Sequence, residues 1–133
     1  MNNENAVNRL IMLGSISGFA TVAVGAFGAH ALQGILIANH MQNVYETGVQ
    51  YQMMHTLAIF VCALLLERSL STKDIALAGY FFFWGAILFS GSLYILAITN
   101  MKILGIVTPF GGLCFLIGWA ILFKHAYQNR VSQ

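Results

Sequence analysis

The stretch LIMLGSISGFATVAVGAFGAHAL, residues 10–32, decides the fold of this chain. Its 23 residues include no Asp, Glu, Lys or Arg, and the nearest charged residue, Arg9, immediately precedes it. A helix rises about 1.5 Å per residue, so this stretch would be about 34 Å long, enough to cross a hydrocarbon layer of about 30 Å. The stretch therefore predicts a transmembrane helix.

Small residues recur along one face of this predicted helix. They follow one another at steps of four, three, four and three residues, and they are Gly14, Gly18, Thr21, Gly25 and Gly28. That spacing keeps them on a single helical face. Because lipid tails are as apolar as Leu side chains, membrane helices associate through close backbone approach at small residues. We expect this face to pack against another helix; the alternative is that it lines a site.

The composition of the whole chain is that of a membrane protein. Of its 133 residues, 59% are hydrophobic and 8% are charged, whereas soluble domains contain about 25% charged residues. The net charge of +2 is small and scattered, which argues against nucleic acid as a partner. The length predicts a single transmembrane domain, residues 1–133.

Three further apolar runs follow the first one. The predicted spans are about 10–32, 48–66, 74–98 and 109–126, which gives an all-α integral membrane bundle of four transmembrane helices. Asn39, followed three residues later by Gln42, is typical of the N-cap of the second helix. Thr108 and Pro109 are typical of the start of the fourth helix. The alternative is one longer helix, kinked at Pro109.

Glycines in the last two predicted helices are further candidates for helix packing. Gly91 lies between two serines in the third helix. Gly111 and Gly118 are seven residues apart in the fourth helix, so they share a face. We expect all three to allow close approach of a neighbouring helix.

The distribution of positive charge predicts the orientation of the chain in the membrane. Lys102 is the one Lys or Arg on one predicted side, and the other side holds Arg9, Arg68, Lys73, Lys124 and Arg130. Cytoplasmic loops and tails carry the excess of Lys and Arg. We therefore expect both the N-terminus and the C-terminus in the cytoplasm.

The second predicted helix carries the most polar face. Residues at steps of three and four share this face, and they are Tyr45, Gly48, Gln52, His55, Ile59 and Cys62. If the first two helices are antiparallel neighbours, a polar intramembrane cluster forms in the outer half of the bundle from His30, Glu46, Gln52 and His55. Polar residues within a membrane face other helices. Two interpretations stay open: hydrogen bonding between helices, or a proton, metal or ligand site.

Several classes of function lack their sequence signals. No Asp, Glu, Lys or Arg lies at mid-membrane, where pumps and proton-coupled exporters place a charge. No zinc-protease motif or phosphate-binding loop occurs. His30 and His55 lie at different predicted depths, which argues against joint haem ligation. We expect no catalytic residues, no metal site and no cofactor, and we expect that the protein is not an enzyme.

Four motifs together resemble one known family. They are GAFGAHAL at 25–32, YQMMHTLA at 51–58, LFSGSLY at 88–94, and TPFGG at 108–112 with GW at 118–119. They resemble the bacterial membrane family called domain of unknown function 423, whose eukaryotic relatives resemble transmembrane protein 256. The resemblance covers nearly the whole chain. It implies a small multi-span protein of the bacterial inner (plasma) membrane and no assigned activity.

Two classes of function remain in view. The first is a non-enzymatic structural or interaction protein of the membrane, with the lipid bilayer as its partner and a homo-oligomer as one form of it. The second is a small solute or ion pathway formed by one or several copies.

Overall fold

The computed structural model describes residues 3–68 and 73–131, with side chains up to residue 128. Within these ranges every regular element is helical. The elements are α1 (Asn3–Ala29), α2 (Gln33–Ala38), α3 (Gln42–Arg68), α4 (Lys73–Thr99), a 3-10 helix (Lys102–Ile106) and α5 (Thr108–Val131). Four segments in these ranges are long and apolar enough to cross a membrane. The predicted all-α fold with four such helices is confirmed.

The helices differ in length from the predicted spans. α1 begins at Asn3 rather than near residue 10, because the Asn3 Nδ2 group donates a hydrogen bond of 3.0 Å to the Leu66 carbonyl and anchors the first turn on α3. α1 ends at Ala29, so His30 lies in the turn that follows. α3 begins at Gln42, before the apolar run of the second span.

The central pair of the bundle is α3 and α4. α3 packs along α1 and α4, and α4 packs along α3 and α5. α1 and α5 therefore flank the pair, and smaller shares of their apolar stretches are buried. The largest fully buried apolar side chains come from α1, α3 and α4, and they are Leu10, Ile59, Leu66, Ile75 and Phe82.

Glycines mark the places where the helices approach most closely. A Cβ added at Gly111 would meet the backbone nitrogen and Cα of Phe89, so α5 and α4 touch there without intervening side chains. A Cβ at Gly118 would lie 2.6 Å from the ring of Phe82. In α1, Gly28 lies against the ring of Tyr45.

The other small positions differ in how tightly they pack. A Cβ at Gly14 would lie 3.0 Å from the ring of Phe60. Gly18 and Gly25 have ordinary van der Waals space, with α3 side chains 3.6 Å and 3.7 Å from the added Cβ. Thr21 is buried on the same face of α1. Gly91 has nothing within 4 Å of its added Cβ, so it is not a point of close approach.

Along the bundle axis, α5 does not start level with the end of α4 but beside a position well before that end. Ser92 Oγ and Thr108 Oγ1 share a hydrogen bond of 2.8 Å, and Ser92 lies seven residues before the end of α4 at Thr99. Seven residues correspond to about 10 Å along a helix. The 3-10 helix spans this distance back along α4. α5 then begins at Thr108, with Pro109 in its first turn. The segment before Pro109 is therefore not a continuation of α5 as one α-helix.

Asn39 does not cap α3 in the predicted way. A short helix, α2, precedes α3, and Asn39 is the C-terminal cap residue of α2. The chain then reverses at His40, which has a left-handed φ of 56°. The Asn39 Nδ2 group instead donates hydrogen bonds of 2.9 Å and 3.0 Å to the carbonyls of Ala97 and Ile98. Asn39 thereby satisfies carbonyl groups at the end of α4, which a helix leaves unpaired.

We predict opposite effects for alanine at two membrane glycines. Gly111→Ala places a methyl group on the backbone of α4, and such overpacking costs about 1–3 kcal/mol. Gly91→Ala meets open space, and removing a helical glycine stabilises by about 0.5–1 kcal/mol. Thermal unfolding in one detergent should show a lower Tm for Gly111→Ala and an equal or higher Tm for Gly91→Ala. An unchanged Tm for Gly111→Ala would contradict the close contact.

Candidate functional site

Polar side chains join α1 to α3 in the middle of the bundle. Ser17 Oγ and Thr56 Oγ1 share a buried hydrogen bond of 2.6 Å. The Ser17 carbonyl accepts a hydrogen bond of 3.2 Å from Gln52 Nε2 and one of 2.8 Å from Thr21 Oγ1. Ser17 therefore binds α3 through both its side chain and its backbone.

Gln52 extends the same connection to α4. Its Oε1 accepts a hydrogen bond of 2.7 Å from the Tyr94 hydroxyl, while its Nε2 donates to the Ser17 carbonyl. The ring of Tyr94 lies 5.0 Å from that of Tyr45, whose hydroxyl donates a hydrogen bond of 2.7 Å to the Val24 carbonyl. One amide side chain thus bridges three helices.

His55 joins α3 to α5. A ring nitrogen, Nδ1, lies 2.8 Å from the Tyr51 carbonyl, and Nε2 lies 3.2 Å from Trp119 Nε1. A carbonyl only accepts and an indole N–H only donates, so the proton is on Nδ1 and the ring is neutral. The ring is 2% exposed and stacks on Phe115, with ring centroids 3.5 Å apart. Both nitrogens of His55 are used within the protein.

His30 and Glu46 lie outside this network. His30 is exposed in the turn after α1, because α1 ends one residue earlier. Glu46 is exposed on the first turns of α3 and lines a cavity of about 340 Å³ together with Gln33, Gln42 and Gln50. The structure therefore brings Gln52 and His55 to one buried face of α3, with different partners, and does not bring His30 and Glu46 to them.

The geometry of the described region offers no ready metal centre. No three side chains of His, Cys, Asp or Glu come together among the residues searched. Cys62 is buried and Cys114 is partly buried, and both are free thiols. The Nε2 lone pair of His55, which a metal would need, accepts the hydrogen bond of Trp119.

Half of the side chains in this hydrogen-bonded network were not predicted from the sequence. Its unforeseen members are Ser17, Thr56, Tyr94 and Trp119. The serines next to Gly91 do not pair with His55: Ser92 pairs with Thr108, and Ser90 is buried in α4. Such partners can be found from the sequence by comparing the depths of residues on antiparallel helices, counted from the helix ends at about 1.5 Å per residue.

Comparison with known proteins relates the chain to one family. The model of the family described as "Protein of unknown function (DUF423)" matches residues 24–112. The UPF0382 membrane protein YwdK of Bacillus subtilis is 46% identical over 118 residues, which cover 89% of this chain and 95% of that protein. The chain belongs to this family. Tyr45, Gln52, His55 and Tyr94 lie within the matched range, whereas Ser17 and Trp119 lie outside it.

Other members are named as membrane proteins, and one of them as an inner membrane protein. The UPF0382 inner membrane protein YgdD of Escherichia coli K12 is 41% identical over 128 residues, covering 91% of each chain. The UPF0382 membrane protein SAB0533 of Staphylococcus aureus is 44% identical over 118 residues, covering 89% of this chain and 94% of that protein. No solved structure matches this chain. The protein is a multi-span inner-membrane protein of unknown activity, and none of these relatives is named as an enzyme.

We predict that Gln52 and Tyr94 stabilise the fold as a coupled pair. Gln52→Leu leaves the Tyr94 hydroxyl unpaired, and Tyr94→Phe leaves Gln52 Oε1 unpaired, so each variant should unfold more easily than the parent. Hydrogen bonds between membrane helices contribute about 0.6 kcal/mol on average and up to about 1.7 kcal/mol. A double-mutant cycle of unfolding free energies should give a coupling in this range. Strict additivity of the two changes would mean that the hydrogen bond contributes nothing.

Proposed function

We propose that this protein is a non-enzymatic structural or interaction protein of the inner membrane. The observation that carries the proposal is that Gln52 and His55, on the buried polar face of α3, are paired with other helices. Gln52 uses both ends of its amide for neighbouring helices. His55 uses one ring nitrogen for Trp119 of α5 and the other for the Tyr51 carbonyl of its own helix. Groups that are committed in this way hold helices together rather than serve a reaction.

The same pairing argues against a solute or ion pathway through the bundle. A pathway needs polar groups that exchange their partners with the passing solute. Gln52 would have to release the Ser17 carbonyl and the Tyr94 hydroxyl to do so, and unpaired polar groups in hydrocarbon are costly. The cavity beside Glu46 is lined by the last residues of α1 and the first turns of α3, at one end of the bundle and away from Gln52 and His55.

The flanking helices supply the surface for interaction. α1 exposes Phe19, Val22 and Ile16, and α5 exposes Phe123 and Leu116. Lipid covers such surfaces in a single copy, and a second copy of the chain can cover them in a homo-oligomer. We place the contact between copies on α1 or α5, since smaller shares of their apolar stretches are buried than in α3 and α4.

The proposed orientation has both termini in the cytoplasm. Its support is the excess of Lys and Arg at the end of the bundle that holds Arg9, Arg68 and Lys73. The opposite end holds Lys102, next to the start of the 3-10 helix.

We expect no solute flux through the purified protein. Liposomes containing it should release a trapped dye and dissipate proton and potassium gradients no faster than liposomes without protein. The matched variant is Gln52→Leu, which removes the amide that would line any polar passage. Flux above the protein-free level in the parent, lost or altered in Gln52→Leu, would favour the pathway and overturn the structural role.

We expect Lys102 to be reachable from outside the cytoplasm. Cys62→Ala with Cys114→Ala removes the two native thiols, and Lys102→Cys or Lys124→Cys is then added singly. In intact spheroplasts a membrane-impermeant maleimide should label Lys102→Cys, and Lys124→Cys only after lysis. The reverse pattern would place both termini on the outer side.

A further inference from the structure

A groove open to lipid runs between α3 and α5. Its volume is about 670 Å³. Its floor contains His55 and Phe115, which are both buried, and its walls contain Tyr51 from α3 and Leu116 and Trp119 from α5. No residue that lines it carries a charge. The groove therefore suits a neutral, largely apolar molecule.

The groove contains one hydrogen-bond donor that the protein does not use. The ring of Tyr51 stacks on Phe89, with centroids 4.6 Å apart and an interplanar angle of 28°. Its hydroxyl donates to no other group in the described part of the chain, and the side chain is 38% exposed. By contrast, the hydroxyls of Tyr45 and Tyr94 are both paired.

This unpaired hydroxyl lies at the depth of the lipid tails. Phe89, against which Tyr51 stacks, lies ten residues before the end of α4 at Thr99, which corresponds to about 15 Å. α4 has 27 residues, so it is about 40 Å long and extends about 5 Å beyond each side of a hydrocarbon layer of about 30 Å. The Tyr51 ring is thus about 10 Å inside the hydrocarbon, where neither water nor the ester groups of phospholipids are available to it.

The groove is elongated along the bundle. The α5 residues that line it run from Pro109 to Trp119, positions ten residues apart that are separated by about 15 Å. The rings of Tyr51, Phe89 and Phe115 form an aromatic cluster in the groove, with centroids 4.6 Å, 5.6 Å and 6.3 Å apart. Such a groove accommodates a flat ring beside the aromatic cluster and a hydrocarbon tail along its length.

We propose that this groove binds a membrane-soluble molecule whose flat ring carries a carbonyl oxygen, of the chemical type of an isoprenoid quinone. The carbonyl accepts the hydrogen bond of the Tyr51 hydroxyl, the ring packs against the aromatic cluster, and the tail follows α5. Phospholipid esters lie at the edge of the hydrocarbon layer, about 10 Å further out than the Tyr51 ring. This binding site adds a ligand to the protein and does not depend on the structural role proposed above.

The fluorescence of Trp119 provides a direct test. Trp84→Phe leaves Trp119 as the remaining tryptophan of the two in the chain. This parent is placed in nanodiscs of synthetic, quinone-free phosphatidylcholine and titrated with a short-tailed ubiquinone, which quenches tryptophan. We expect saturable quenching. Tyr51→Phe keeps the ring and removes the hydroxyl, and it should raise the apparent Kd by roughly five- to tenfold, the effect of one hydrogen bond.

Matched variants separate binding from a general effect of quinone in the bilayer. Gly112→Leu adds a side chain to the groove at a position where an added Cβ has only ordinary contacts, 3.8 Å from Phe89, and it should abolish saturation while unfolding like the parent. Gly91→Leu lies outside the groove and should bind normally. Trp119→Phe, in which the exposed Trp84 reports, should show only linear, collisional quenching.

Two results would overturn the proposal. One is quenching of Trp119 that is linear and equal in the parent, Tyr51→Phe and Gly112→Leu. The other is saturable quenching with the same apparent Kd in the parent and in Tyr51→Phe, which would show that the Tyr51 hydroxyl does not hold the ligand.

Discussion

A polar group in hydrocarbon must have a partner, and the arrangement of α1, α3 and α4 depends on this constraint. Gln52 meets it by placing one end of its amide on the Ser17 carbonyl and the other on the Tyr94 hydroxyl. Both bonds can form at one time only when the three helices hold one rotation and one height relative to each other. The apolar contacts around them are compatible with sliding, so the polar bridge fixes the register.

The bridge depends in turn on the small residues of α1. Gly14 lies against Phe60 and Gly18 against Thr56, so α3 approaches this face of α1 closely enough for Gln52 to reach the Ser17 carbonyl. α5 is also held on the bundle by close approach at glycines and by a hydrogen bond between helices. Gly111 and Gly118 allow it to lie on α4, and Trp119 then reaches His55 across the remaining gap.

Periodicity and hydropathy were sufficient to predict the helices and the buried face of α3. The residues predicted to share that face are all buried, and they are Tyr45, Gly48, Gln52, His55, Ile59 and Cys62. The pairing of these residues was not predictable, because a spacing of three or four fixes a face but not the height of a neighbouring helix. His30 was grouped with His55 for this reason, since its helix was expected to continue past Ala29. Asn39 was misread because the short helix α2 has too few residues to give a periodic signal.

The late start of α5 also affects the surface that the protein presents to the membrane. Around most of the bundle the lipid-facing apolar surface is formed by long α-helices. Beside the 3-10 helix it is formed by a short segment with exposed Ile103 and Ile106. Pro109 lies at the top of α5, where an ordinary residue would leave a backbone N–H without a partner inside the lipid. Lipids along this corner therefore contact the exposed Ile103 and Ile106 side chains of a 3-10 helix, whereas lipids elsewhere contact α-helices. The surface that the protein presents to the bilayer thus differs around its circumference.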